Sequence, residues 1–179
     1  VYWAQYLLRH DRMDEAHSII KELKSQHSDW LETLQLQVGY QLARNSSTGN
    51  SADDIPATVM LEIDNSFLSY MKQPAANPAA KLLWLQWLVT TNRRNAADEA
   101  LASTTLFNKD PGEQKLKALA QLYLGQKQQS HELLKSLPTD PQLHVALIQS
   151  AQSLTEQQQL LSTAMQQQQQ QGIFKAWSA

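Results

Sequence analysis

Apolar residues recur along most of the chain at the spacing of an amphipathic α-helix. After Asp110, the positions Leu116, Leu119, Ala120 and Tyr123 follow the i, i+3, i+4, i+7 pattern that places side chains on one helix face. A break at 125–127 separates this stretch from a shorter one that carries Leu133, Leu134 and Leu137, and a third stretch carries Leu143, Ala146, Leu147, Ala151 and Leu154. The pattern predicts a series of short helices that each bury one face.

Three dipeptides mark where helices start. Asn77-Pro78, Asp110-Pro111 and Asp140-Pro141 each place a good N-cap residue before a proline, which is favoured at the first helical position. The prolines lie 33 and then 30 residues apart. Each is followed by an apolar-periodic stretch, a break and a second such stretch. This arrangement predicts a helix-turn-helix unit that repeats along the chain.

The first 72 residues follow the same plan. Apolar faces predict two pairs of helices, with Trp3, Ala4, Leu7 and Leu8, then Ala16, Ile19, Ile20 and Leu23, then Leu31, Leu34, Val38 and Leu42, and finally Val59, Met60, Ile63, Phe67 and Tyr70. The polar, turn-rich segment 45–54 predicts a loop insertion. The helix near residues 79–92 is apolar nearly all round, so we expect it to be the most buried element, with Trp84 and Trp87 in the core.

Small residues at the expected helix crossings give the chain a family resemblance. Ala4, Ala16, Ala100, Ala118 and Ser130 occupy such positions, and Gly39 follows Ala4 by 35 residues. In these features the chain resembles the tetratricopeptide-repeat (TPR) family. The resemblance implies an all-α fold, a right-handed α-solenoid of about five TPR-like helix-turn-helix hairpins that forms one domain over residues 1–179. It also implies a concave groove on the first helices of the hairpins that binds a protein or peptide partner.

Composition narrows the range of functions. With 15 Lys+Arg against 17 Asp+Glu, the chain has no basic excess for direct binding of nucleic acid. The absence of cysteine excludes disulfides, thiol catalysis and cysteine-based zinc sites. No apolar run approaches the roughly 20 residues of a membrane-spanning helix, so we expect no membrane insertion. Because the chain opens as VYWAQYLL, apparently already inside a helix, we expect it to be a segment of a longer protein.

Residues 14–17 spell Asp-Glu-Ala-His, a signature of ATP-dependent helicases. That signature needs a preceding hydrophobic strand and a phosphate-binding G-x-x-x-x-G-K-[ST] motif, and the chain has neither. We therefore expect Ala16 to be a crossing residue and His17 to be exposed. The other histidines, His10, His27, His131 and His144, show no metal-ligand spacing and are expected to face solvent. We predict no catalytic residue, no metal site and no cofactor.

Four residues are predicted to line the groove. Tyr6, Gln35, Tyr40 and Gln121 share helices with the small crossing residues but are polar or amphipathic and not core-like, so we expect them to contact a partner. Arg93 and Arg94 are expected to be solvated charges in a turn.

The Gln-rich C-terminal extension, residues 166–179, contains a polar Gln run, 166–171, that cannot bury a face. Ile173, Phe174 and Trp177 after it either cap the array or belong to a neighbouring unit.

Three functions remain open. The chain is predicted to be a scaffold or adaptor module without enzymatic activity. Alternatively, it is the sensor or regulatory domain of a larger bacterial transcription regulator, or the accessory domain of an envelope enzyme. The cysteine-free, Gln-rich and mildly acidic composition favours a bacterial envelope or periplasmic location, although a cytoplasmic one stays open. The identity of the partner and the oligomeric state stay open.

Overall fold

A computed structural model describes residues 1–51, 54–138 and 141–170, with side chains described up to Gln166 except at 139–142. These residues form ten α-helices and no strand, which confirms the predicted all-α class. The helices are α1 (Tyr2–Arg9), α2 (Met13–Gln26), α3 (Leu31–Ser47), α4 (Ala57–Met71), α5 (Ala79–Thr90), α6 (Arg94–Ala102), α7 (Pro111–Tyr123), α8 (Lys127–Ser136), α9 (Pro141–Ser150) and α10 (Leu154–Gln170). Within this part of the chain, no helix has the length and apolar character needed to cross a membrane.

The chain divides into two compact units, residues 1–100 and 101–179. In the first unit, consecutive helices from α1 to α5 pack against one another, and α1 and α5 also contact α3. Helix α3 therefore lies at the centre of this unit. In the second unit, α7 packs on α8 and α9, α8 packs on α9, and α9 packs on α10.

The core of the first unit lies between α3, α4 and α5. Leu34, Phe67 and Trp87 are each 2% exposed or less and belong to one apolar cluster. A second cluster, made of Ala4, Ile20, Leu36 and Tyr40, joins α1 and α2 to the other side of α3. Helix α3 thus has two apolar faces, because it is covered from both sides.

Small residues lie at the helix contacts, as the crossing pattern predicts. Ala4, Ala16, Ala100, Ala118 and Ser130 are all buried. In the second unit, Ser130 of α8 donates a hydrogen bond of 2.8 Å to the carbonyl oxygen of Ala118 in α7. Because neither residue carries a long side chain, the two backbones approach closely at this point.

Four helices, α1, α3, α5 and α7, end in the same way. Asp11, Gly49, Asn92 and Gly125 follow α1, α3, α5 and α7, and all four have a positive φ, between 55° and 80°. The next residue donates its backbone N–H to a carbonyl five residues earlier (Arg12 to Leu7, Asn50 to Asn45, Arg93 to Leu88, Gln126 to Gln121). This is the Schellman motif, which satisfies carbonyl groups that the helix end leaves free. The chain therefore repeats a backbone turn where its sequence shows little repetition.

The predicted helix starts are largely confirmed. Asp110 caps α7 by accepting hydrogen bonds from the N–H groups of Gly112 and Glu113. The Asn77 side chain accepts a hydrogen bond from the Ala79 N–H at the start of α5. Asp140 lies outside the described residues.

Two sequence predictions need adjustment. Helix α3 continues through Ser47, so the first three residues of the predicted 45–54 loop are helical. In α5, Trp87 is buried as expected, but Trp84 and Val89 are only half-buried, so this helix is not covered all round. Ile173, Phe174 and Trp177, which were predicted either to cap the array or to belong to a neighbouring unit, fall outside the described part of the chain, as does Gln171. The earlier glutamines of the run continue α10.

Candidate functional site

The four predicted groove residues differ in exposure and belong to different units. Tyr6 is 46% exposed on α1, where its ring stacks on Trp3 with 5.1 Å between ring centroids. Gln35 is exposed on α3. Tyr40 and Gln121 are only 7% and 9% exposed. Tyr6, Gln35 and Tyr40 belong to the first unit and Gln121 to the second.

The expectation that Tyr40 and Gln121 are not core residues was wrong. Tyr40 packs in the apolar cluster with Ala4 and Ile20, because it faces the junction of α1, α2 and α3. The Gln121 side chain is buried, and its amide oxygen has no hydrogen-bond partner among the residues that the structure describes. An amphipathic residue type therefore did not distinguish a surface position from a core position.

The first unit has a groove between α2 and α4, with α3 as its floor. Two cavities, of about 270 and 320 Å³, form this groove and share Lys24, Gln37 and Glu62. The first cavity is lined by His17, Ile20, Lys21, Lys24, Gln37, Tyr40, Gln41, Val59, Glu62 and Ile63. We refer to this surface as the α2–α4 groove. Of the four residues predicted from the sequence, only Tyr40 lines it.

The base of the groove is apolar. Ile20 of α2 and Ile63 of α4 are each 4% exposed, and Val59 is half-buried beside them. The ring of Tyr40 lies against the His17 imidazole, with 5.0 Å between ring centroids and an angle of 31° between the planes. Because these side chains also belong to the cores on both sides of α3, the base is held in place by packing that does not depend on a ligand.

The α2 wall of the groove is basic. His17, Lys21 and Lys24 follow one another at i, i+4 and i+7, which places them on one face of α2. The Lys24 ammonium forms an ion pair across the groove with the Glu62 carboxylate of α4. Within the described part of the chain, Glu62 is the only carboxylate that lines either cavity. Lys21 is exposed and forms no ion pair with any residue of the described ranges.

Part of this site can be predicted from the sequence. The basic stripe of α2, interrupted by Ile20, can be read from helical spacing alone. Its position opposite α4 cannot, because that depends on how two helices separated by the whole of α3 are brought together. The TPR resemblance implied a groove on the first helices of the hairpins, whereas the walls of this groove are α2 and α4, which would be second helices in that arrangement.

The helicase-like segment is part of an ordinary helix. Asp14 and Glu15 lie in the first turn of α2, where negative charge is favoured. Ala16 is fully buried and His17 is exposed, as predicted.

A second cluster of polar side chains joins α4 to α5. Asp64 accepts hydrogen bonds of 3.2 Å from the indole N–H groups of both Trp84 and Trp87, and it also pairs with Arg93. The expectation that Arg93 is a solvated turn charge was therefore wrong, because its side chain is only 26% exposed and has a charged partner. Arg94, which follows it, is exposed as expected.

His131 forms the centre of a third cluster, in the second unit. It was predicted to face solvent but is only 5% exposed. Its Nδ1 lies 2.9 Å from Ser150 Oγ, and its Nε2 lies 2.9 Å from Glu156 Oε1. Glu156 also accepts hydrogen bonds from the Lys135 ammonium and the Gln152 backbone N–H. The reason for the burial is that α8 and α10 meet across this imidazole.

The Ser150, His131 and Glu156 side chains follow the order of a catalytic triad, but their surroundings are structural. Ser150 is fully buried, so its hydroxyl cannot reach a substrate. Its Oγ donates to the Leu147 carbonyl oxygen at 2.9 Å, so its proton is held by a backbone group of the same helix. No group of three or more potential metal-ligating side chains occurs within the described residues.

Comparisons with protein-family models, curated proteins and solved structures produced no match to this chain.

Proposed function

We propose that this chain is a non-catalytic protein–protein interaction module that binds a peptide or protein segment in the α2–α4 groove. The observation that carries the proposal is an open groove whose base is apolar and whose rim is polar. Ile20, Tyr40, Val59 and Ile63 provide apolar contact area, while Lys21, Gln41 and their neighbours surround it. Protein interfaces combine an apolar centre with a polar rim in this way.

The groove is pre-organised for binding. Its floor is α3, which packs against α1, α2, α4 and α5. Binding therefore requires little ordering of the module itself, and less of the interaction free energy is lost to conformational entropy. The two walls are side chains of regular helices, which hold their positions better than a loop would.

The dimensions of the groove favour a short segment. The lining residues of α4 extend from Val59 to Ser69, which corresponds to roughly 15 Å along a helix. That length accommodates about three turns of a ligand helix, or about five residues of an extended strand. A segment of this size can present a few apolar anchors at helical spacing, the usual way in which a helix is recognised in a groove.

We also propose that the hairpins are TPR-like and stack as a right-handed α-solenoid within each unit. The α1–α3 and α3–α5 contacts, the buried small residues at the crossings and the four Schellman turns support this assignment. An experimental structure that gave the opposite hand, or hairpins that do not stack, would refute it.

A groove-filling substitution tests the proposed function. Gln41 lies half-buried in the groove, whereas Gln35 lies exposed on the same helix and lines neither cavity. A random-peptide library is selected on the unmodified chain, and the affinity of each selected peptide is measured by fluorescence anisotropy for the Gln41→Trp and Gln35→Trp variants. We expect Gln41→Trp to weaken binding at least about tenfold and Gln35→Trp to leave it within about twofold.

Two outcomes would overturn this proposal. One is that no peptide is enriched over an empty support. The other is that Gln35→Trp removes binding while Gln41→Trp retains it, which would move the site to the face first predicted from the sequence. Circular dichroism of both variants checks that the helices are intact, so that a loss of binding reports on the groove.

A further inference from the structure

We propose that the segment bound in the α2–α4 groove is acidic and amphipathic, with apolar side chains on the groove base and carboxylates against the α2 wall. This inference rests on the proposed function and adds the chemistry of the partner. It follows from the distribution of charge in the groove, from the apolar base and from the ion pair that crosses between the walls.

The charges of the groove are unequal. Apart from the Tyr40 phenol, its ionisable lining residues are His17, Lys21, Lys24 and Glu62. Glu62 is matched by Lys24, so the uncompensated charge is the Lys21 ammonium, with the His17 imidazole one turn away on the same face. A ligand carboxylate placed here gains an oppositely charged partner, whereas a ligand ammonium meets a like charge. Charge complementarity of this kind decides between partners more than it adds affinity.

The apolar base excludes a ligand that is merely acidic. Ile20, Tyr40, Val59 and Ile63 lie beneath the basic stripe, and a fully hydrated polyanion would leave them in contact with water. Only a segment with apolar side chains on one face covers this base and lets its carboxylates reach Lys21. An amphipathic helix of about three turns satisfies both conditions within the length of the groove.

The Lys24–Glu62 ion pair is suited to exchange. The two side chains are 38% and 64% exposed, so solvent competes with their attraction and the pair is weak. A ligand carboxylate can replace Glu62 at the Lys24 ammonium, and Glu62 then returns to water. The same replacement breaks a contact that both cavities share, because Lys24 and Glu62 line both.

Three synthetic peptides test the chemistry. The first is a three-turn helical peptide with leucines at i, i+3, i+4 and i+7 and glutamates on its flanks. The second keeps the leucines and has lysines instead of the glutamates, and the third keeps the glutamates and has serines instead of the leucines. Fluorescence anisotropy on the whole chain is expected to show saturable binding of the first, binding of the second weaker by at least about tenfold, and no saturable binding of the third.

Charge variants locate the effect. Lys21→Glu is expected to weaken the Leu/Glu peptide about tenfold and to strengthen the Leu/Lys peptide. Lys127→Glu makes the same change in net charge at an exposed position of α8 and is expected to leave both affinities unchanged. Glu62→Gln releases Lys24 and is expected to strengthen the Leu/Glu peptide severalfold. The affinity of the Leu/Glu peptide should also fall as salt is added, because Lys21 is exposed.

The inference is overturned if the Leu/Glu and Leu/Lys peptides bind equally, if the Leu/Lys peptide binds better, if the Leu/Glu peptide does not bind, or if Lys21→Glu and Lys127→Glu have the same effect. The proposed function would survive each of these results as long as library-selected peptides lose affinity in Gln41→Trp and not in Gln35→Trp. If Gln41→Trp also leaves the affinity of the library-selected peptides unchanged, both the inference and the proposed function fail.

Discussion

Asp64 of α4 and Arg93 of the α5–α6 turn form a two-point ion pair, with 2.5 Å between Asp64 Oδ2 and Arg93 Nη1 and 3.2 Å between Asp64 Oδ1 and Arg93 Nη2. Oδ1 also accepts the indole N–H groups of Trp84 and Trp87. The Arg93 guanidinium lies 5.8 Å from the centroid of the Trp87 ring. One carboxylate therefore connects α4, α5 and the turn that leads into α6.

Replacing Asp64 by Ala should destabilise the first unit. The substitution leaves two indole N–H groups and a guanidinium without their acceptor in a site where Asp64 and Arg93 are only 17% and 26% exposed. We expect the free energy of unfolding to fall by about 2–3 kcal/mol, because partly buried donors to a charged group lose their partner. Urea unfolding followed by tryptophan fluorescence measures the change, since Trp84 and Trp87 contact the mutated site directly.

Arg94→Ala provides the matched control for this cluster. Arg94 is exposed and has no ion pair among the described residues, so its removal should change the free energy of unfolding by less than about 0.5 kcal/mol. Equal effects of Asp64→Ala and Arg94→Ala would show that the cluster does not stabilise the fold.

The sequence predicted the helices well because local chemistry determines them. The Asp110 cap and the Gly125 break depend on residues within one turn of the helix end, and both lie where the sequence places them. The hydrogen-bond partners of Arg93 and His131, by contrast, lie far away along the sequence. Asp64 precedes Arg93 by 29 residues, and Glu156 follows His131 by 25, so no local pattern connects these side chains.

The candidate site was predictable only in part, for a similar reason. The small residues Ala4 and Ala16 were correctly expected to be buried, since close helix packing requires a short side chain. Tyr40 was expected at a surface because tyrosine is amphipathic, yet α3 is covered on two sides and Tyr40 faces one of them. Tertiary packing determines which helices form the walls of a groove. An amphipathic pattern predicts only that one face of a helix is buried.

Two glycine substitutions should have effects of opposite sign. Gly125 has a φ of 80° and no atom within 4 Å of an added Cβ, so Gly125→Ala introduces backbone strain without a steric clash. We expect the free energy of unfolding to fall by about 1 kcal/mol, the usual cost of the left-handed conformation for a residue with a Cβ. Gly39 lies inside α3, where an added Cβ would meet Leu8 at an ordinary contact distance of 3.8 Å. Gly39→Ala should therefore raise the free energy of unfolding by about 0.5–1 kcal/mol.

Urea unfolding monitored by far-ultraviolet circular dichroism compares the two variants with the unmodified chain. A stabilising effect of Gly125→Ala would contradict the Schellman turn after α7. A destabilising effect of Gly39→Ala would mean that α1 and α3 approach more closely at this position than the 3.8 Å distance to Leu8 indicates.

Substitutions at Ser130 test whether its hydroxyl group stabilises the contact between α7 and α8. Its Oγ is fully buried and donates to the Ala118 carbonyl oxygen at 2.8 Å. Ser130→Ala should lower the free energy of unfolding by about 1 kcal/mol, the net value of a typical intramolecular hydrogen bond. Ser130→Leu should cost more, about 1–3 kcal/mol, because the larger side chain separates α7 from α8.

Ser136→Ala is the control for that hydrogen bond. Ser136 belongs to the same helix and donates to the Leu133 carbonyl oxygen at 2.7 Å, but it is exposed, so water can replace the bond. Its substitution should change the free energy of unfolding by less than about 0.5 kcal/mol. If Ser130→Ala proves equally neutral, the contact between α7 and α8 depends on the small size of residue 130 alone.

Glu156 should make the stability of the second unit depend on pH in the acid range. Hydrogen bonds from Lys135, from the Gln152 backbone and from His131 lower the pKa of Glu156 from 4.5 to about 2. Since the folded state binds this proton less tightly than the unfolded state, the ionised carboxylate favours folding. The stabilisation is fully present above pH 4.5 and is lost as the pH falls toward 2.

The carboxyl carbon of Glu156, observed by NMR, should therefore titrate well below the midpoint of an exposed glutamate. The free energy of unfolding should fall more steeply between pH 4.5 and 2 in the unmodified chain than in Glu156→Gln, because the amide cannot titrate. Glu132→Gln, at an exposed position of α8, should retain the slope of the unmodified chain. A Glu156 midpoint near 4.5 would show that Lys135 and His131 do not hold the carboxylate in solution, and the connection of α8 to α10 would then depend on apolar packing alone.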